Sequence, residues 1–82
     1  MILVDIYVPA VDDTFDFMLD ENTEIGKVVM EIVEMLSKKM QGAHQEVAEE
    51  FLLCHMGSRK ILEQDRTLHM SGVSDGSRLM LV

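Results

Sequence analysis

The chain has 82 residues, 15 acidic and 7 basic, for a formal charge of −8, with 48% hydrophobic and 27% charged residues. That length holds one small domain, residues 1–82, and the composition is that of a folded chain rather than a disordered one. The acidic balance excludes nucleic acid and anionic lipid as ligands, because phosphate binding needs a basic patch.

Ile2 to Val8 alternates, with Ile2, Val4, Ile6 and Val8 on one face and Leu3, Asp5 and Tyr7 on the other. This is strand period. Pro9 to Asp13 reads as a turn, since proline ends a ladder and aspartate favours turns. Thr14 to Leu19 is a second strand, with Phe15, Phe17 and Leu19 sharing a face. The two runs are close enough for an N-terminal hairpin.

Asp20-Glu21-Asn22-Thr23 leads into a helix. Thr23 is the expected N-cap, because its hydroxyl can accept from the free amides of the first turn. Glu24 places negative charge at the positive end of the helix dipole. Ile25, Val28, Val29, Ile32, Leu36 and Met40 form one stripe at helical period. Gly26 lies in the first turn; it either permits close approach to the sheet or is tolerated near a helix end. Met30 and Val33 fall off the stripe, and Met30 projects nearly opposite to it. An exposed apolar pair there makes Met30 a candidate partner contact. Lys38 and Lys39 suit the C-terminal end, and Gly42 is a natural stop.

Gln41 to Glu50 is polar and acidic and reads as a loop or a short helix. Phe51 to His55 is a third strand, Met56-Gly57-Ser58 a turn, and Arg59 to Leu62 a short fourth strand. Thr67 to Ser71 is a helical turn with Leu68 tucked inward. Ser74-Asp75-Gly76-Ser77 is a hairpin-type turn in which Asp-Gly supplies the positive φ. The final strand follows, with Val73, Leu79 and Leu81 pointing inward.

The residues offer no catalytic constellation. Cys54 and His55 are neighbours in a strand, so they point to opposite faces and cannot form a nucleophile–base pair. His44, His55, His69 and Cys54 lack metal-ligand spacing. Asp12, Asp13, Asp16 and Asp20 do not form a calcium loop. No catalytic residue, cofactor or metal is expected. With a single cysteine no internal disulfide is possible, which points to a reducing, cytoplasmic setting. No apolar run approaches the roughly 20 residues of a membrane helix, so no direct membrane insertion is expected.

Two strands, a helix and three further strands in so short a chain imply an α+β fold, a hairpin followed by a helix lying across a mixed sheet. Leu62-Glu63-Gln64-Asp65-Arg66-Thr67-Leu68 resembles a stretch of ubiquitin, and Gly72-Val73 with Asp75-Gly76-Ser77-Arg78-Leu79 resembles bacterial ubiquitin-like proteins. Thr14-Phe15-Asp16-Phe17, leading into the helix, resembles the corresponding stretch of the YukD/EsaB family. These are small accessory proteins of type VII (WXG100) secretion systems. The likeness covers almost the whole chain apart from Gln41–Glu50.

The resemblance implies a ubiquitin-like β-grasp that works by protein–protein contact as an accessory or regulatory component. Its partners would be membrane-embedded or ATPase components of the secretion system. Two other functions stand beside this one. A ubiquitin-like modifier or sulfur carrier is disfavoured, because the sequence ends at Val82 without Gly-Gly. An effector subunit of a larger enzyme would co-purify with that enzyme. One face of a β-grasp sheet packs on the helix and the other meets solvent. Leu3, Leu52, Cys54, Met80 and Val82 are the candidates on that solvent face, with Arg59, Lys60 and Arg78 as its rim. A one-residue slip of strand three would exchange Leu52 for Leu53. The expected state is a monomer or weak dimer.

Overall fold

The computed structural model describes residues 1–39 and 51–82. Strands β1 (Ile2–Val8) and β2 (Asp13–Leu19) form the hairpin, and α1 (Ile25–Lys39) follows. Then come β3 (Leu53–His55), β4 (Lys60–Ile61) and β5 (Arg78–Leu81). The sheet order is β2-β1-β5-β3-β4. β1 runs antiparallel to β2 and parallel to β5, and β3 is antiparallel to both β5 and β4. Met40, His44 and the rest of the acidic connector, with its loop-or-helix alternative, lie outside the described residues.

Alternation decides which face is covered. The even residues of β1, together with Phe17, Leu19, Leu53, Leu79 and Leu81, are buried. They meet the apolar stripe of α1, and Ile25, Val28, Val29, Ile32 and Leu36 are buried as the helical period requires. Leu62, Leu68 and Val73 close the core beneath the connection to β5. No polar or charged residue is buried among the described residues. The phase of β3 is as expected, with Leu53 buried and Leu52 exposed. Val33 differs from expectation: it is half-buried and packed against the core. The helix stripe is simply wide enough to take it.

The start of α1 corrects the expected cap. Thr23 does not cap the helix; its hydroxyl donates to Asp20 Oδ2 at 3.0 Å. The first-turn amides are met from far along the chain. Ile25 N donates to the Arg66 carbonyl at 2.8 Å and Gly26 N to the Gln64 carbonyl at 3.0 Å. Gly26 therefore faces this loop rather than the sheet. A Cβ added there would sit 3.5 Å from the Gln64 carbonyl oxygen, an ordinary contact. Gly26→Ala is expected to raise the unfolding free energy by about 0.4–1 kcal/mol, since alanine keeps the amide bond and reduces unfolded-chain entropy. A urea titration reads this directly, and a lower midpoint would mean that the loop cannot accept the methyl group.

The Asp-Gly turn also differs in context. Ser77 N closes it onto the Ser74 carbonyl at 3.0 Å, and Gly76 has φ +86°. It joins no two neighbouring strands. It feeds β5 in beside β1, where Leu3 N donates to Asp75 Oδ1 at 2.8 Å and Gly76 N to the Leu3 carbonyl at 2.7 Å.

Two carboxylates hold the connection from β2 to α1. Asp20 accepts from Asn22 N at 2.9 Å and from the Thr23 hydroxyl, in that order of effect, and its carboxyl lies below its ordinary 3.8. Glu21 lies below its ordinary 4.5 chiefly because it accepts from the Met1 ammonium at 2.9 Å. The unfolded chain therefore takes up these protons first. Stability from both groups is present above those ordinary values and is lost as pH falls through the lower folded ones. An acid series of denaturation midpoints should drop through this window, and Asp20→Asn should flatten the drop. An unchanged slope in that variant would mean that Asp20 contributes nothing.

Candidate functional site

The odd residues of β1 and their neighbours form the sheet face that α1 leaves open. Strand register sets the rows. Thr14 pairs with Tyr7, Tyr7 with Met80, Met80 with Cys54, and Cys54 with Ile61. This single row crosses all five strands. Tyr7, Met80 and Cys54 are half-buried in it, while Ile61 is 61% exposed at its end. On one side of the row, Leu52 and Val82 exchange backbone bonds at 2.7 and 2.9 Å, and both side chains are exposed.

The row on the other side is charged. Asp16 stands opposite Asp5, Asp5 opposite Arg78, and Met56 N donates to the Arg78 carbonyl at 3.0 Å. Like charges directly opposite are unfavourable, and Arg78 on the far side of Asp5 offsets them. A shallow basin of about 320 Å³ lies between the rows, lined by Asp5, Tyr7, Thr14, Met56, Arg78 and Leu79. Leu3 and Met18 pair at its lower edge. The Tyr7 hydroxyl donates to Asp12 Oδ1 at 2.8 Å, which holds the phenol above its ordinary value and fixes the ring at the rim.

The structure brings Leu3, Leu52, Cys54, Arg78, Met80 and Val82 onto this one face. Three of the other candidates stand apart. Met30 is exposed on α1, across the core from the open face, so it cannot share a site with Met80. Lys60 pairs with His55, and His55 with Leu79, which belongs to the buried set. Lys60 therefore has the wrong parity for the open face. It lines a groove of about 280 Å³ at the β4 edge with Ile61, Glu63, Arg66 and Met70. Arg59 sits in the β3–β4 turn, exposed, with φ +57°. Tyr7, Met56 and Ile61 belong to the face although none was a candidate. Tyr7 shares the parity of Leu3, and that signal was available in the sequence.

Cys54 and His55 do point to opposite faces. The His55 ring Nδ1 lies 2.9 Å from Ser58 Oγ. Among the described residues no group of three His, Cys, Asp or Glu could hold a metal ion. No described helix is long and apolar enough to cross a membrane.

Among the described residues, a five-stranded mixed sheet with its last strand central, one helix across one face and the other face open defines a ubiquitin-like β-grasp protein. The family model described as "WXG100 protein secretion system (Wss), protein YukD" matches residues 2–81, and the chain belongs to that family. Among solved structures it is similar to the EccD5 ubiquitin-like domain from Mycobacterium xenopi, at 21% identity and TM-score 0.78, covering 99% of this chain and 91% of that one. It is similar to the N-terminal ubiquitin-like domain of the 4931431F19Rik protein, at 27% identity and TM-score 0.77, covering 99% and 72%. Caldiarchaeum subterraneum ubiquitin is similar at 20% identity and TM-score 0.71, covering 98% and 89%. No curated protein matches the chain.

Proposed function

We propose that this chain is a non-catalytic docking protein of a WXG100 (type VII) secretion system, and that it binds a protein component of that system through its open sheet face. The observation that carries this reading is the unbroken row Tyr7–Met80–Cys54–Ile61. It gives a contiguous apolar stripe on an element fixed from below by the core, flanked by Leu52 and Val82 on one side and by Asp16, Asp5 and Arg78 on the other. That is the make-up of a protein-binding patch: an apolar centre, an aromatic anchor and a charged rim. Family membership supports the secretion system as the setting. A membrane-embedded or ATPase component, met from the cytoplasm, is the proposed partner. Among the described residues, no side chain on the face is placed as nucleophile or base, which favours binding over chemistry.

The test is made in the host. A photo-crosslinking residue at position 80 is expected to capture a component of the secretion machinery, while the same residue at position 30 does not. Deleting the gene should reduce export of the WXG100 proteins. Unimpaired export after deletion, or equal capture from both positions, would sink the assignment.

A further inference from the structure

We infer that the open sheet face is complementary to itself and pairs with the same face of a second copy about a twofold axis running along the strands. The inference rests on the reading of this face as the docking surface and names one occupant for it. It begins with the order of charge across the sheet. Asp16 on β2 and Asp5 on β1 are followed by Arg78 on β5. Negative and positive sides are therefore separated by the strand order itself. Asp5 and Arg78 are in no ion pair among the described residues.

A half-turn about an axis along the strands exchanges left and right. With that axis between β1 and β5, Asp5 of one copy meets Arg78 of the other, and Arg78 meets Asp5. Such a contact is isologous: each pairing occurs twice from one patch. The same rotation lays Tyr7 over the partner copy's Met80 position, so the apolar row covers itself. A heterologous partner would need its own charges in the opposite order, whereas a second copy has them by symmetry.

The size of the face sets the strength. Five strands about 4.8 Å apart and three rows of same-face residues about 7 Å apart make a patch of only a few hundred Å² per copy. That lies at the low end of specific interfaces, so the dimer is weak and transient. Its charge pairs are near solvent, so salt weakens it. The face cannot hold a second copy and a secretion partner together, and the partner must displace the copy.

The test uses the full chain in sedimentation equilibrium over a wide concentration range at low and high salt. A monomer–dimer equilibrium is expected, weakened at least about tenfold by high salt because the pairs are exposed. Asp5→Arg and Arg78→Asp should each give a monomer, and the double variant should restore the dimer. Restoration is a result that a folding defect does not mimic. A dilution series of amide NMR spectra on the unaltered chain should move the signals of Tyr7, Arg78 and Met80 and leave those of Met30 and Glu31 in place. A chain that stays monomeric at every concentration in low salt overturns the inference, as does a double variant no better than the singles or shifts that fall elsewhere. Crosslinking from position 80 to a secretion component would survive any of these failures, so the two readings fail separately.

Discussion

Leu68→Ala is expected to lower the unfolding free energy by about 3–5 kcal/mol, the range for buried leucines whose cavity does not collapse. Leu68 is fully buried in the core cluster and belongs to the connection that leads to β5. Its neighbourhood has little freedom to close over a void. Val73 N donates to the Leu68 carbonyl at 3.0 Å, and Ser71 N donates to both the Thr67 and Leu68 carbonyls at 3.1 Å. A domain of this size has roughly 4–12 kcal/mol of stability in all, so the variant gives up a large share of it. At about 4–8 °C per kcal/mol for domains of this length, the midpoint of thermal unfolding should fall by more than 10 °C. Calorimetry on the purified variant decides the matter. A fall of only a few degrees would show that the site repacks.

Met80→Glu is expected to do the opposite: leave the fold and remove the binding. Met80 is half-buried at the middle of the open face, on the central strand, so a charge there lies against the partner and not in the core. The change in fold stability should stay within about 1 kcal/mol, the span of β-propensity effects at a strand position. Truncations at the centre of an interface commonly cost 2 kcal/mol or more, which is about a thirtyfold loss of affinity, and a buried unpaired carboxylate costs no less. The measurement is affinity for the captured secretion component, with Met30→Glu as the control expected to be neutral. Equal losses at both positions would move the binding site off the sheet. Taken with Leu68→Ala, the pair separates function lost through the surface from function lost through unfolding.

How far the sequence alone reaches is clearest at particular residues. The alternation in Ile2–Val8, imperfect at Leu3 and Tyr7, still assigns both faces of β1, because a seven-residue strand shows its period three times over. The stripe from Ile25 to Leu36 was equally legible. Two-residue β4 has no period to read, so the sequence puts Lys60 at the rim of the open face, whereas its pairing with His55 gives it the parity of the covered face. Ile61, which does belong there, was missed for the same reason. At the helix start, local rules offer Thr23 a role that the Gln64 and Arg66 carbonyls perform. Those partners lie some forty residues downstream, and no local pattern announces them. The helical period shows Met30 to be exposed, as it is, but exposure does not say on which side of the molecule a residue lies. The rows of the candidate site depend on register between strands far apart in sequence, and register is a property of the assembled sheet.

The position of β5 bears on how the protein is made. The strand that comes last in sequence is the one in the middle, and it alone joins the β2-β1 hairpin to the β3-β4 hairpin. On a ribosome, neither hairpin has a sheet to belong to until residues 78–81 have cleared the exit tunnel. An isolated hairpin is marginal in water. The growing chain should therefore stay protease-sensitive until β5 emerges and gain protection in one step. A stalled-chain series assayed by proteolysis should show a single jump in resistance once β5 emerges, with no plateau for the N-terminal hairpin and helix alone.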